Sequence, residues 1–99
     1  MKKNEFLQDK ETYLDRLAMF VPIVDKVHGK HHPEFHDVRR VFETMKDKIE
    51  KEDFILDNEF KELKTITNNY EVPNDVCESY EAVYHMLENL NNAYNNQKE

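Results

Sequence analysis

The stretch Val76-Cys77-Glu78-Ser79-Tyr80-Glu81-Ala82-Val83-Tyr84-His85-Met86-Leu87-Glu88-Asn89-Leu90-Asn91-Asn92-Ala93-Tyr94 carries the clearest periodicity in the chain. Its apolar positions Val76, Tyr80, Val83, Leu87, Leu90 and Tyr94 step by 4, 3, 4, 3, 4. Side chains spaced this way share one face of an α-helix. Pro73 just upstream is a favoured first helical residue, and Asp75 sets an acid near the positive end of the helix dipole. The pattern predicts a helix over about 73–95 that fades through Asn89, Asn91, Asn92, Asn95 and Asn96.

Working back from that helix, three more amphipathic segments appear. In the first, about 5–28, Tyr13, Leu17, Phe20, Val24 and Val27 step by 4, 3, 4, 3, and Leu14, Ala18 and Val21 widen the face. Pro22 lies inside it. A proline lacks a donor and crowds the preceding turn, so a kink near Ala18–Val21, or two helices end to end, is expected. Gly29 then ends the segment in the manner of a helix C-terminal glycine. The second, about 33–51, starts at Pro33 and repeats Phe35, Val38, Phe42, Met45 and Ile49. The third, about 56–68, carries Leu56, Phe60, Leu63 and Ile66 and ends at Asn68-Asn69. Met19, Met45 and Met86 fit core or flanking positions.

Composition agrees with an all-α reading. The 99 residues hold one glycine, and no Asn-Gly or Asp-Gly pair marks a hairpin. The expected architecture is one domain over 1–99: an antiparallel up-down bundle of three to four helices with short loops. With 38% apolar residues there is enough for one core and little to spare. One cysteine cannot form an internal disulfide. No apolar run approaches a membrane span, and Met1-Lys2-Lys3-Asn4-Glu5 does not open a signal peptide. A cytoplasmic protein is the expectation. The net charge of −7 argues against a nucleic-acid partner, which needs clustered Lys and Arg.

The densest chemistry is His28-Gly29-Lys30-His31-His32-Pro33-Glu34-Phe35-His36, which holds four of the five histidines. Neutral imidazole is a common metal ligand, and two histidines four apart on a helix can share one ion. His28, His31, His32 and His36 are therefore candidate ligands for iron or zinc. Gly29 and Pro33 interrupt the run, so no single helix presents all four. The alternative is a polar interhelix loop whose rings cap helix ends. On the last helix, Glu81, His85 and Glu88 have carboxylate–histidine spacing. A helical wheel at about 100° per residue turns His85 away from the core stripe and puts both glutamates far off it, so a solvated face is expected there. Cys77, beside the stripe, reads as a half-buried structural thiol in the first turn of the helix. There is no Gly-rich phosphate loop, CxxC pair, nucleophile elbow or catalytic triad, and a non-enzymatic role is expected.

The string Val27-His28-Gly29-Lys30-His31-His32-Pro33-Glu34-Phe35 resembles the V-H-G-x-x-H-P-E-[LF] segment of the RIC family, the iron–sulfur cluster repair di-iron proteins. Asn69-Tyr70-Glu71-Val72-Pro73-Asn74-Asp75-Val76-Cys77-Glu78-Ser79-Tyr80-Glu81-Ala82-Val83-Tyr84 is similar to the C-terminal signature of short Gram-positive proteins of that name. The resemblance covers about residues 13–94. It implies a hemerythrin-like four-helix bundle and a role in restoring iron–sulfur clusters after nitrosative or oxidative damage. In the family, two irons are held by a first-helix histidine, an H-M-x-K-E-E segment, a third-helix histidine and a terminal H-x-x-x-E pair. This chain departs at nearly all of them. The H-M-x-K-E-E histidine falls near Glu52, the first and third segments offer no matching histidine, and the terminal pair falls on Tyr84 and Glu88. Glu88 alone survives as a candidate ligand.

Two functional readings follow. One is a RIC-like protein of iron–sulfur cluster repair or iron handling, with metal held by the loop histidines or at a dimer interface. The other is a metal-free helical interaction module, a homodimer burying surplus apolar surface of the first and fourth helices.

Overall fold

The computed structural model describes the backbone of residues 5–98 and the side-chain surroundings of residues 12–96. The polar start, Met1–Asn4, lies outside the described residues. Four helices follow in order: α1 Glu5–His28, α2 Glu34–Glu50, α3 Asp57–Ile66 and α4 Glu78–Lys98. Among the described residues there is no strand, and no helix is long and apolar enough to cross a membrane. Helix α1 packs on α4 and α2, and α2 packs on α3, contacts consistent with an up-down bundle.

The helices bury one shared core. Leu17, Val21 and Val24 of α1 meet Phe35, Val38, Phe42 and Met45 of α2, Phe60 and Leu63 of α3, and Tyr80, Val83, Leu87 and Leu90 of α4. Burying each such aliphatic or aromatic side chain contributes about 1.5–3 kcal/mol. Helix α1 is a single element through Pro22, so two helices end to end are excluded. Its inward face is rotated from the expected stripe. Leu17, Val21 and Val24 are buried, Tyr13 and Phe20 are half-buried, and Val27 is exposed. Met19, expected in the core or on its flank, is exposed as well.

The fourth helix is displaced from its expected bounds of 73–95. Pro73–Cys77 is a connecting segment with a turn at Asn74–Asp75, and α4 begins at Glu78, running on to Lys98. Two histidine contacts hold Asp75 and Cys77 in place, as described below, and the Cys77 carbonyl accepts the Glu81 N–H at 3.2 Å to open the helix. The Asn-rich end does not fade. Asn91 is buried, donates to the Tyr70 hydroxyl at 2.9 Å and pairs with Asn95.

Positive backbone angles also fall where composition did not place them. Gly29 has no positive φ, whereas Glu52, Asn68, Asn69 and Tyr70 all do, at 60°, 53°, 62° and 64°. A left-handed tyrosine is costly. Tyr70 is held there by its N–H on the Thr67 hydroxyl at 2.7 Å and by the Asn91 bond to its own hydroxyl. Burial pushes that phenol up to about 12.

Candidate functional site

The histidine loop joins α1 to α2 through a tight set of backbone bonds. The Gly29 N–H donates to Asp25 O at 2.8 Å, and the His31 and His32 N–H groups both donate to His28 O. The Phe35 and His36 N–H groups then donate to His32 O and Pro33 O, which starts α2 without a side-chain cap. Gly29 is required by close approach. A Cβ there would overlap the Asp25 carbonyl oxygen, and would lie 2.6 Å from His36 Cε1 and 2.9 Å from Asp25 Oδ1.

Each of three histidines makes a different contact. His28 Nε2 lies 3.1 Å from Cys77 Sγ. His32 places Nδ1 at 3.0 Å from Glu34 Oε2 and Nε2 at 3.0 Å from Asp75 Oδ1. Both ring nitrogens thus face carboxylates, and only the imidazolium can donate to both at once. Desolvation pulls the His32 pKa down, but the bonds to Glu34 and Asp75 outweigh it and raise it from 6.5. His36 Nδ1 lies 2.5 Å from Asp25 Oδ1. Asp25 Oδ2 accepts from Arg39 at 3.1 Å, and Arg39 also donates to Glu43. His31 is exposed.

Beneath the loop lies an aromatic stack. The Tyr80 ring meets His28 and His32 edge-on, both at 5.5 Å, and packs 5.0 Å from Phe35. Its hydroxyl lies 3.0 Å from that of Tyr84 and donates to Glu34 Oε2 at 3.4 Å. Burial raises both phenol pKa values above the usual tyrosine range, so both rings stay neutral. The arrangement is a lock. One loop of histidines ties the end of α1 and the start of α2 to the segment that precedes α4.

Sequence reasoning placed the histidines together in the chain, and the structure separates their roles. His28 and His32 share one aromatic platform with ring centres 6.5 Å apart, while His36 turns to Asp25. Cys77, expected to be half-buried in the first turn of a helix, is exposed in the connecting segment next to His28. Tyr84 is fully buried, and its hydroxyl finds a partner in that of Tyr80. Asp75 was read only as a helix-start acid, and the pairing of Asp25 with Arg39 was not read at all, since contacts 14 to 43 residues apart leave no local signal.

The residues present do not fit a di-iron centre of the RIC kind. Glu52 is exposed in the turn after α2, Tyr84 is buried against Tyr80, and Glu88 is exposed on α4. Among the described residues, no group of three or more His, Cys, Asp or Glu side chains is placed to hold one ion. Glu81 and His85 are exposed and meet only at 3.9 Å.

A second feature lies on α1. Met19, Ile23 and Val27, one turn apart, are 61%, 53% and 60% exposed. They form an apolar stripe on the exposed side of α1, turned away from the buried Leu17, Val21 and Val24. No protein-family model, curated protein or solved structure matches this chain.

Proposed function

We propose that this chain is a helical protein-interaction module that works without a metal centre and presents the outer face of α1 to its partner. The observation that carries this reading is the Met19–Ile23–Val27 stripe. Single exposed aliphatic residues are ordinary on a protein surface, but three in register on one helix face form a continuous patch, the usual mark of a contact site. His28, His32 and His36, by contrast, are engaged within the chain with a thiol and carboxylates.

A second reading, RIC-like iron–sulfur cluster repair or iron handling in the cytoplasm, has one observation in its favour. The two segments that resemble RIC signatures meet in space, through His28 with Cys77 and His32 with Asp75. On that reading the chain shares a hemerythrin-like scaffold, and metal binding involves His28 and His32.

Elemental analysis of untagged protein separates the two. The interaction-module reading expects negligible iron and zinc, and a melting temperature unmoved by added Fe(II) or Zn(II). Near-stoichiometric metal that is lost in a His28→Ala/His32→Ala variant overturns it in favour of the second.

A further inference from the structure

We infer that the partner of the α1 stripe is a second copy of this chain, docked with its α1 antiparallel to the first; this rests on the interaction-module reading. Met19, Ile23 and Val27 recur every four residues on the exposed side of α1. At about 100° per residue they span an arc of roughly 80°, which suits a helix-on-helix contact. The flank of this arc carries opposite charges at its two ends. Asp15 and Lys26, both exposed, are eleven residues apart and lie within about 20° of one another around the helix.

A two-fold axis perpendicular to two antiparallel helices brings like flanks together. Set level with Val21, it places Met19 over Ile23 of the second copy. The same axis sets Asp15 within one residue of register with Lys26 of the second copy, and symmetry forms that ion pair twice. Arg16 then lies over Val27 of the second copy, where its aliphatic stem can cover the apolar surface while the guanidinium stays in water. A parallel two-fold would instead bring opposite flanks together, so Asp15 and Lys26, which share one flank, would not meet across it. The charge pattern therefore selects the antiparallel pairing. Among the described residues α4 presents no comparable exposed apolar face, so the interface belongs to α1.

Three aliphatic side chains per copy place the interface at the small end of specific contacts, so the dimer is weak and concentration-dependent. Sedimentation equilibrium on the full chain, from about 10 μM to about 1 mM, tests this. The expected result is a reversible monomer–dimer equilibrium whose Kd rises at least about tenfold in Ile23→Asp. Asp15→Lys weakens the dimer, and the charge-swapped Asp15→Lys/Lys26→Asp variant restores it. All three positions are exposed, and far-UV circular dichroism and an unchanged melting temperature of the monomer report that the variants fold. A monomer at every concentration overturns the inference and leaves the stripe to a helix of another protein. A dimer indifferent to Ile23→Asp, or one that the charge swap fails to restore, overturns it too. The interaction-module reading itself fails only on the metal analysis, so the two failures are distinct.

Discussion

Replacing Gly29 by alanine probes the junction on which the histidine lock is built. The glycine is buried, and its φ is not in the left-handed region, so alanine meets no backbone penalty there. The cost is steric. The new methyl overlaps the Asp25 carbonyl oxygen and presses on His36 Cε1 at 2.6 Å and Asp25 Oδ1 at 2.9 Å. The His36 ring can swing outward, being largely exposed, but the Asp25 carbonyl is helix backbone that accepts the Gly29 N–H. Overpacking of this kind costs about 1–3 kcal/mol. Against it, alanine restricts the unfolded chain and returns about 0.4–1 kcal/mol. The net expectation is a loss of about 1–2 kcal/mol, which for a chain of this size lowers the melting temperature by about 4–8 °C per kcal/mol. Urea unfolding followed by circular dichroism measures it directly. Because the lock joins α1 to α2, the Asp25–His36 contact should loosen as well, seen as a shifted His36 ring resonance in NMR. A Gly29→Ala protein as stable as the wild type, or more stable, would refute the close-approach argument.

Two further outcomes are expected. His32 has a folded pKa raised above 6.5 by Glu34 and Asp75, so its stabilisation is complete below 6.5 and is lost as pH rises through the folded value. Unfolding free energy measured from about pH 6 to about pH 9 should fall in this window, and Asp75→Asn should flatten the fall; an unchanged slope would exclude the clamp. The Tyr94 hydroxyl accepts the buried Leu56 N–H at 2.9 Å and donates to Asp57 Oδ1 at 3.0 Å at the start of α3. Tyr94→Phe should therefore cost about 1–3 kcal/mol in urea unfolding, and a change below about 0.5 kcal/mol would show that the N–H finds other partners.

The periodic positions of α2 and α3 were legible because the core there is built from residues that repeat at helical spacing. Phe35, Val38, Phe42 and Met45 are all buried, as are Phe60 and Leu63. On α1 the same kind of reading failed in part. Aliphatic residues surround most of that helix, so several faces satisfy the spacing, and packing against α4 and α2 selects Leu17–Val21–Val24 over Val27. The start of α4 was misplaced for another reason. Pro73 and Asp75 are ordinary helix-start residues, but Asp75 is claimed by His32, which lies 43 residues away. The histidine cluster itself was visible. Its use was not, because a ring becomes a ligand, a cap or a clamp according to what the rest of the fold brings to its nitrogens.

By itself, the sequence determined the type of the elements, amphipathic helices in a bundle of three to four, and a histidine loop between the first two. These follow from spacing and local propensity, which act within a few residues. The tertiary structure alone decided which face of α1 is left bare, why Gly29 must lack a Cβ, and that His28 and His32 grip the segment before α4. Each of these depends on groups that folding brings together from distant parts of the chain, where steric overlap and short-range electrostatics act.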